Sequence, residues 1–364
     1  MSRYRFQLYL IGLFPLSLGF ILLSRLFPST LEWIYSTTTN KYFISILSHL
    51  TGWFPFSLFE CLIIVSIISF IAYFIYMLYQ LIYNPAKRSS SILTFILNFL
   101  AICSSAYFIF ILFWGLNYYR LPIEDSFQLS IYPHSVEELE ALYEELILST
   151  NQARDQVMET SDGIFSINES PTQMFNRAPL GYLAASIDFP ILAGDYGLPK
   201  AISLSNVMNY TQITGIYSPF TAEANVNIAI PESTLLFTTM HEMAHQRGFA
   251  SENEANFIAF LTCIYHPDAD FQYSGYLSAL NYTSNALAKI DRDRVIELNQ
   301  SLSDGVKRDL TYQRQFWSKY EGKVEQTFTN MNQTYLKLNG VSDGVQSYGR
   351  VVDLLLAYYD SIRN

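Results

Sequence analysis

Residues 235–263 read LLFTTMHEMAHQRGFASENEANFIAFLTC. If Leu235 to Arg247 is helical, His241 and His245 stand four residues apart and project from one face, one turn above the other, with Glu242 beside them. Two imidazoles stacked in this way can hold one zinc ion through ring nitrogens, and the intervening carboxylate can reach a water on the open side of the metal. Three fixed residues also match by accident, so the continuation carries weight. Gly248 follows His245 by three residues, where a helix can stop through a left-handed residue. A second helical run begins almost at once, with Ser251 as a candidate N-cap and Glu254 at the capping-box spacing.

HExxH is the pattern of zinc metallopeptidases, whose catalytic sites use three protein ligands and leave a fourth position for water. Glu252 and Asn256 lie one helical turn apart on a common face. Glu252 can therefore complete the ligand set, and Asn256 can accept from the outer N–H of a ligating His and fix its tautomer. In the alternative, Glu254 binds the metal and Glu252 is solvated. In metzincins the third ligand is a His six residues past the second; Ser251 stands there, so that pattern fails. The arrangement resembles gluzincins, which take a Glu from the following helix and often carry an Asp one turn beyond it. This chain has Asn256 instead, and an unusually short gap between its two motifs.

Half of the 364 residues are hydrophobic, 16% are aromatic and only 15% are charged, a composition that points to membrane insertion. Leu8 to Leu23, Leu58 to Tyr79 and Ile92 to Trp114 are nearly unbroken apolar runs. Two of them comfortably reach the ~20 residues a spanning helix needs, and the first extends past Arg25, which can snorkel. A cleaved signal peptide competes for the first run, but Leu22, Leu23, Ser24 and Arg25 make a poor cleavage site, so the run is expected to be retained. Pro15 should kink it or be accommodated by neighbouring helices.

Arg3 and Arg5 precede the first span, and Lys87 with Arg88 fills the short link between the second and third, which places both in the cytoplasm. The expected location is a bacterial cell membrane, multi-pass, with residues 1–119 as the membrane domain and 120–364 outside. Residues 1–119 carry six basic and two acidic side chains, whereas the remainder carries sixteen and thirty, giving net charges of +4 and −14. An acidic exposed domain repels nucleic acid. Cys61, Cys103 and Cys263 form no disulfide framework. Glu60, at the outer end of span two, is read as an interfacial, solvated carboxylate. His49, His134 and His266 are assigned no metal.

The exposed part opens at WGLNYYRLPIED, where Trp114, Tyr118 and Tyr119 read as a membrane-surface aromatic belt. An amphipathic helix from Ser135 to Met158 follows, with a capping box of Ser135 and Glu138. Residues 160–200 read as irregular with short helical pieces. Ala201 to Leu204 and Ala224 to Ile230 look like short strands, with Gly215 and Pro219 turning the chain between them. A strand placed just before the metal helix can lie along the cleft and offer a free edge to an extended peptide, or be an ordinary buried strand. After the motif, Tyr273 and Tyr276 are expected in a turn. Helices are expected over Leu277 to Ile290 and Glu297 to Leu338, and a closing one from Tyr348 to Ile362. The fold class is thus α+β, mainly helical: three transmembrane helices followed by a zincin-like domain with a short sheet.

The segments FWGLNYYR, GIYSPFTAEANVN, HEMAHQRGFASENEANFIAFL, YSGYLSAL and GVQSYGRVVDLLLAYY, together with the three spans, resemble the bacterial domain-of-unknown-function family numbered 3810. The resemblance covers nearly the whole chain. It implies metal binding at His241 and His245 and makes Glu223 and Asn225 active-cleft neighbours; it supplies no substrate. The expected function is a membrane-anchored zinc peptidase acting on extracytoplasmic or membrane-proximal peptides and proteins. His241, His245 and Glu252 hold Zn2+, Glu242 is the base, and Tyr273, Tyr348 and Arg247 are candidates for the donor to the oxyanion. The alternatives are a binding or assembly module with structural zinc, and a transporter or sensor. Nothing in the sequence speaks to oligomeric state.

Overall fold

The computed structural model describes residues 4–338 and 350–363. Its N-terminal part is built from Arg5–Leu26 (α1), Asn40–Gly52 (α2), Leu58–Tyr83 (α3) and Arg88–Phe113 (α4). Of these, α1, α3 and α4 are long and apolar enough to cross a membrane. None of the residues of α3 is buried. A helix apolar on every face, touching α4 through Phe70, Tyr73 and Phe74 yet burying no residue, suits lipid as its solvent.

Pro15 acts as expected. Lacking an N–H, it leaves the Ile11 carbonyl without its helical donor, and α1 breaks at Gly12 into two segments. Ser104 Oγ of α4 donates to Ile11 O at 3.0 Å, so the neighbouring helix satisfies the freed acceptor. The segment between α1 and α3 is helical too. A π-helical stretch, Glu32–Thr39, leads into α2, which docks on the C-terminal part of the chain: Gly197 N donates to Ser48 Oγ at 3.0 Å and Thr51 Oγ1 to Thr221 O at 2.9 Å.

The C-terminal part contains Val136–Arg154 (α5), whose start carries the expected capping box of Ser135 and Glu138. Three strands follow: Lys200–Ala201 (β1), Gly215–Ser218 (β2) and Glu223–Val226 (β3). Their order is β1-β3-β2, with β1 parallel and β2 antiparallel to β3, and Gly215 opposite Val226. Two expectations are corrected here. Gly215 does not turn the chain but starts a strand, the reversal being made after Ser218, with Ala222 at φ 53°. The expected strand to Ile230 stops at Val226, because Asn227 turns its side chain onto Asn209 Oδ1, Ile213 O and Ala229 N. Since β3 lies in the middle, it offers no edge; β1 and β2 are the edge strands of the sheet.

The longer helices after the sheet are Glu232–Gln246 (α6), Glu252–Ile264 (α7), Ala269–Leu287 (α8), Asp304–Ser318 (α9), Lys323–Leu338 (α10) and Arg350–Arg363 (α11). The run expected as one helix from Glu297 to Leu338 is interrupted after Leu298 and after Ser318. Every residue of α7 from Glu254 to Cys263 is buried. It is the central helix of a core that also draws Leu146 from α5, Leu236 from α6, Phe271 from α8 and Leu355 from α11.

Candidate metal centre

Gly248 ends α6 at φ 83°, in the left-handed region that glycine enters without strain. The turn then delivers α7 beside α6. Ser251 has N-cap backbone geometry, yet its hydroxyl bonds Asn253 Oδ1 and caps no main-chain N–H. Glu254 does not close the expected capping box. Its carboxylate accepts from Ile123 N at 2.9 Å, and burial, partly offset by Arg120, pushes its pKa up to about 7. Freed from capping and turned to Ile123, Glu254 is not among the residues that line the cavity at the histidines.

Glu252 is turned the other way. Its Oε2 lies 3.3 Å from His241 Nε2 and its Oε1 3.8 Å from His245 Nε2. The two imidazole rings stand edge to face, centroids 4.6 Å apart. One donor atom from each residue lies within 4.8 Å of the other two. A tetrahedron built with metal–ligand bonds of ~2.0–2.1 Å has edges of roughly 3.3–3.4 Å; the His241–Glu252 separation matches that edge, and the His245 donor would have to draw in to complete a cation site. His245 Nδ1 lies 2.7 Å from Phe249 O; donation to that carbonyl leaves the lone pair on Nε2, facing Glu252. The sequence reading gave such an orienting role to Asn256. The Asn256 side chain does favour the charged form of His241, but His241 Nδ1 makes no hydrogen bond of ordinary geometry.

The electrostatics are those of a buried cluster with more charge than partners. Burial pushes the Glu242 carboxyl up to about 8, against the opposing pull of His241. Burial, joined by His241, drives His245 down to about 4. At Glu252 burial is outweighed by the hydrogen bond from His241 and by both imidazoles, which hold the carboxyl below its ordinary range. Glu242 Oε2 is buried and has no hydrogen-bond partner among the described residues. These groups share a cavity of about 700 Å³ with Ile216, Phe237, Tyr282 and Trp317.

The turn between α6 and α7 is held from the membrane side. Trp114, expected in a surface belt, is instead buried; its indole N–H donates to His245 O at 3.1 Å and its ring meets the His245 ring edge to face. Arg120, paired with Glu32 at 2.6 Å, donates to Gly248 O at 3.1 Å and covers the Phe249 ring. The stretch Trp114 to Arg120 thus supports the site, a role its aromatic content disguised.

Other expected site residues lie elsewhere. Tyr273 is not in a turn but inside α8, fully buried, with its hydroxyl on Asp309 Oδ2 at 2.6 Å. Tyr348 lies outside the described residues. Arg247 lines a different cavity, on the far side of α6. Glu223 and Asn225 are bound to the start of α3: Glu223 accepts from Leu58 N and Phe59 N at 3.1 and 2.8 Å and pairs with Lys200 at 2.5 Å, and Asn225 Oδ1 accepts from Ser57 Oγ at 2.6 Å. Glu60, expected to be solvated, accepts from Ser203 N and Leu204 N at 3.0 and 2.8 Å. His266 is structural, with its ring nitrogens on Arg177 O and Asp268 N.

Three apolar helices of membrane-crossing length, joined to a mainly helical domain with a His-His-Glu cluster, define the class of the molecule. The chain belongs to the family described as Protein of unknown function (DUF3810), whose model matches residues 35–356. No curated protein and no solved structure matches it.

Proposed function

We propose that the chain is a membrane-anchored, zinc-dependent peptidase of the gluzincin type that cleaves peptide bonds in extracytoplasmic or membrane-proximal substrates. The observation that supports this best is the convergence of the His241, His245 and Glu252 donor atoms in one cavity with the unpartnered Glu242 Oε2. A zinc ion held by those three residues supplies polarisation of the scissile carbonyl and acidification of water. Glu242 takes the proton as the water oxygen bonds to the carbonyl carbon, and gives it to the amine nitrogen as the C–N bond breaks. A group whose pKa burial has raised is suited to this exchange near neutral pH.

The position of β2 as an edge strand supports the peptide assignment, because Gly215 and Ile216 line the same cavity, where an extended chain can lie alongside them. Tyr282, on the wall beside Glu252, takes the oxyanion role first given to Tyr273. The basic residues beside α1 and between α3 and α4 support a location of the domain on the outer side. The test is metal analysis of the purified protein together with cleavage of a peptide library. Wild type should bind one zinc and cleave; Glu242→Gln should keep the zinc and lose turnover. Cleavage that survives in Glu242→Gln, or a wild type that takes up no metal, defeats the proposal.

A further inference from the structure

The far side of α6 carries a second arrangement. A cavity of about 940 Å³ is lined there by Arg247 together with Tyr182, Leu183 and Tyr196. Arg247 is only 7% exposed, and its guanidinium lies between two phenol rings, 3.6 Å from the Tyr182 centroid and 4.7 Å from that of Tyr196. It donates to two main-chain carbonyls, Met243 O at 3.0 Å and Leu192 O at 3.4 Å, and among the described residues it forms no ion pair. Arg120 and Arg154, the other guanidinium groups with side chains as little exposed, are each paired with a carboxylate. Asp195, which lines the same cavity, is turned to His49 and its side chain is 93% exposed. The Tyr196 hydroxyl is buried and has no hydrogen-bond partner among the described residues.

A guanidinium stays charged at every physiological pH, and a buried charge needs a counter-ion. Here the protein supplies the cation, a neighbouring hydroxyl donor and apolar walls, while the lining carboxylate, Asp195, acts on Arg247 only from a distance and is turned outward to His49. The mouth says where an anion can come from. Trp53, Phe54 and Pro55 border the cavity just ahead of α3, and Trp53 is 81% exposed, the placement of an interfacial aromatic residue. We infer that this cavity seats the phosphate headgroup of an anionic bilayer lipid, with its oxygens on the Arg247 guanidinium and the Tyr196 hydroxyl and its acyl chains leaving over Trp53 and Phe54. Guanidinium matches phosphate through paired N–H donors, and the aromatic stack holds it in the receiving orientation. The site is separate from the metal cavity and does not depend on the peptidase proposal.

The test uses the full-length protein in nanodiscs of phosphatidylglycerol or of phosphatidylcholine, followed by transfer to detergent and native mass spectrometry. Wild type should retain one phosphatidylglycerol in preference to phosphatidylcholine. Arg247→Gln, which keeps the stem but removes the charge, should lower that retention about tenfold, the scale of one charge-assisted contact, and Arg247→Lys should fall between. Leu183→Glu changes a wall residue that is 69% exposed, so folding is not at stake, and it should repel the same headgroup. If Arg247→Gln fails to fold, Leu183→Glu decides. Equal retention by wild type and Leu183→Glu overturns the inference. So does an Arg247-dependent rise in Tm with inorganic phosphate that anionic lipid does not reproduce, because the site would then serve a free anion.

Discussion

Gly215 of β2 faces the carboxylate of Glu242 so closely that a Cβ at Gly215 would stand 2.4 Å from Oε1 and 2.6 Å from Cγ. The glycine is needed for space, since its backbone lies in an ordinary strand. Gly215→Ala should push the Glu242 side chain off its position while leaving the three metal donors alone. Turnover should fall by about 10²-fold, the scale of a lost general base, with metal content unchanged. Peptidase kinetics beside metal analysis of the same preparation check this; simultaneous loss of metal would mean that α6 itself had moved.

Trp114 tests the support beneath the site. Its indole N–H holds His245 O, and the ring packs against the imidazole. Trp114→Phe keeps an aromatic ring and removes the donor, leaving a buried carbonyl with one partner fewer. Metal affinity should fall by about tenfold or more, as it does when groups orienting a ligand are lost. Competition with a chelator measures it, and unchanged affinity would reduce Trp114 to packing.

The two acids at the start of α7 give opposite predictions. Glu252→Ala should abolish metal binding. Glu254→Gln should leave it intact, because Glu254 is turned to the Ile123 amide and away from the imidazoles. Zinc titration of both variants distinguishes them, and the reverse outcome would make Glu254 the ligand.

The parts of this arrangement that follow from local rules could be read from the chain. Four-residue spacing put His241 and His245 on one face, Gly248 marked the end of α6, and three apolar runs marked α1, α3 and α4. What could not be read depends on pairing across distance. Glu254 had the right spacing for a capping box, but Ile123, far back in the sequence, offers a buried N–H that binds it instead. Gly215 looked like a turn because nothing local says that β3 lies alongside it. Tyr273 was one tyrosine among 27, and only the fold shows that its hydroxyl is held by Asp309. Composition points Trp114 and Glu60 to the membrane surface, whereas both bind the C-terminal part of the chain through specific atoms.

The joint between α3 and the sheet makes a stability prediction. Lys200 Nζ donates to Thr51 O at 2.7 Å, Phe56 O at 3.0 Å and Glu223 Oε1 at 2.5 Å, while Glu223 also receives the first main-chain N–H groups of α3. Lys200→Met leaves a buried carboxylate without its counter-ion and two carbonyls without their donor. The loss should be about 3–5 kcal/mol, whereas pairing it with Glu223→Gln should recover part of it. Thermal unfolding of the two variants in detergent gives the comparison, and equal destabilisation would show that the pair carries no mutual energy.

Tyr282 is the last group to be tested. It projects from α8 into the cavity at the two histidines; burial, together with the nearby Glu252 charge, raises the phenol pKa, so the hydroxyl keeps its proton and remains a donor at neutral pH. A donor that meets charge only as it develops on the carbonyl oxygen lowers the barrier without tightening the ground state. Tyr282→Phe should therefore reduce kcat by about 10²-fold or more and leave KM nearly unchanged. Tyr273→Phe, which removes a hydroxyl held by Asp309 away from the cavity, should instead lower stability by about 1–3 kcal/mol and spare kcat in the folded fraction. Steady-state kinetics on both variants, read beside their melting curves, separate the two phenols; a kcat loss confined to Tyr273→Phe would return the catalytic role to that residue.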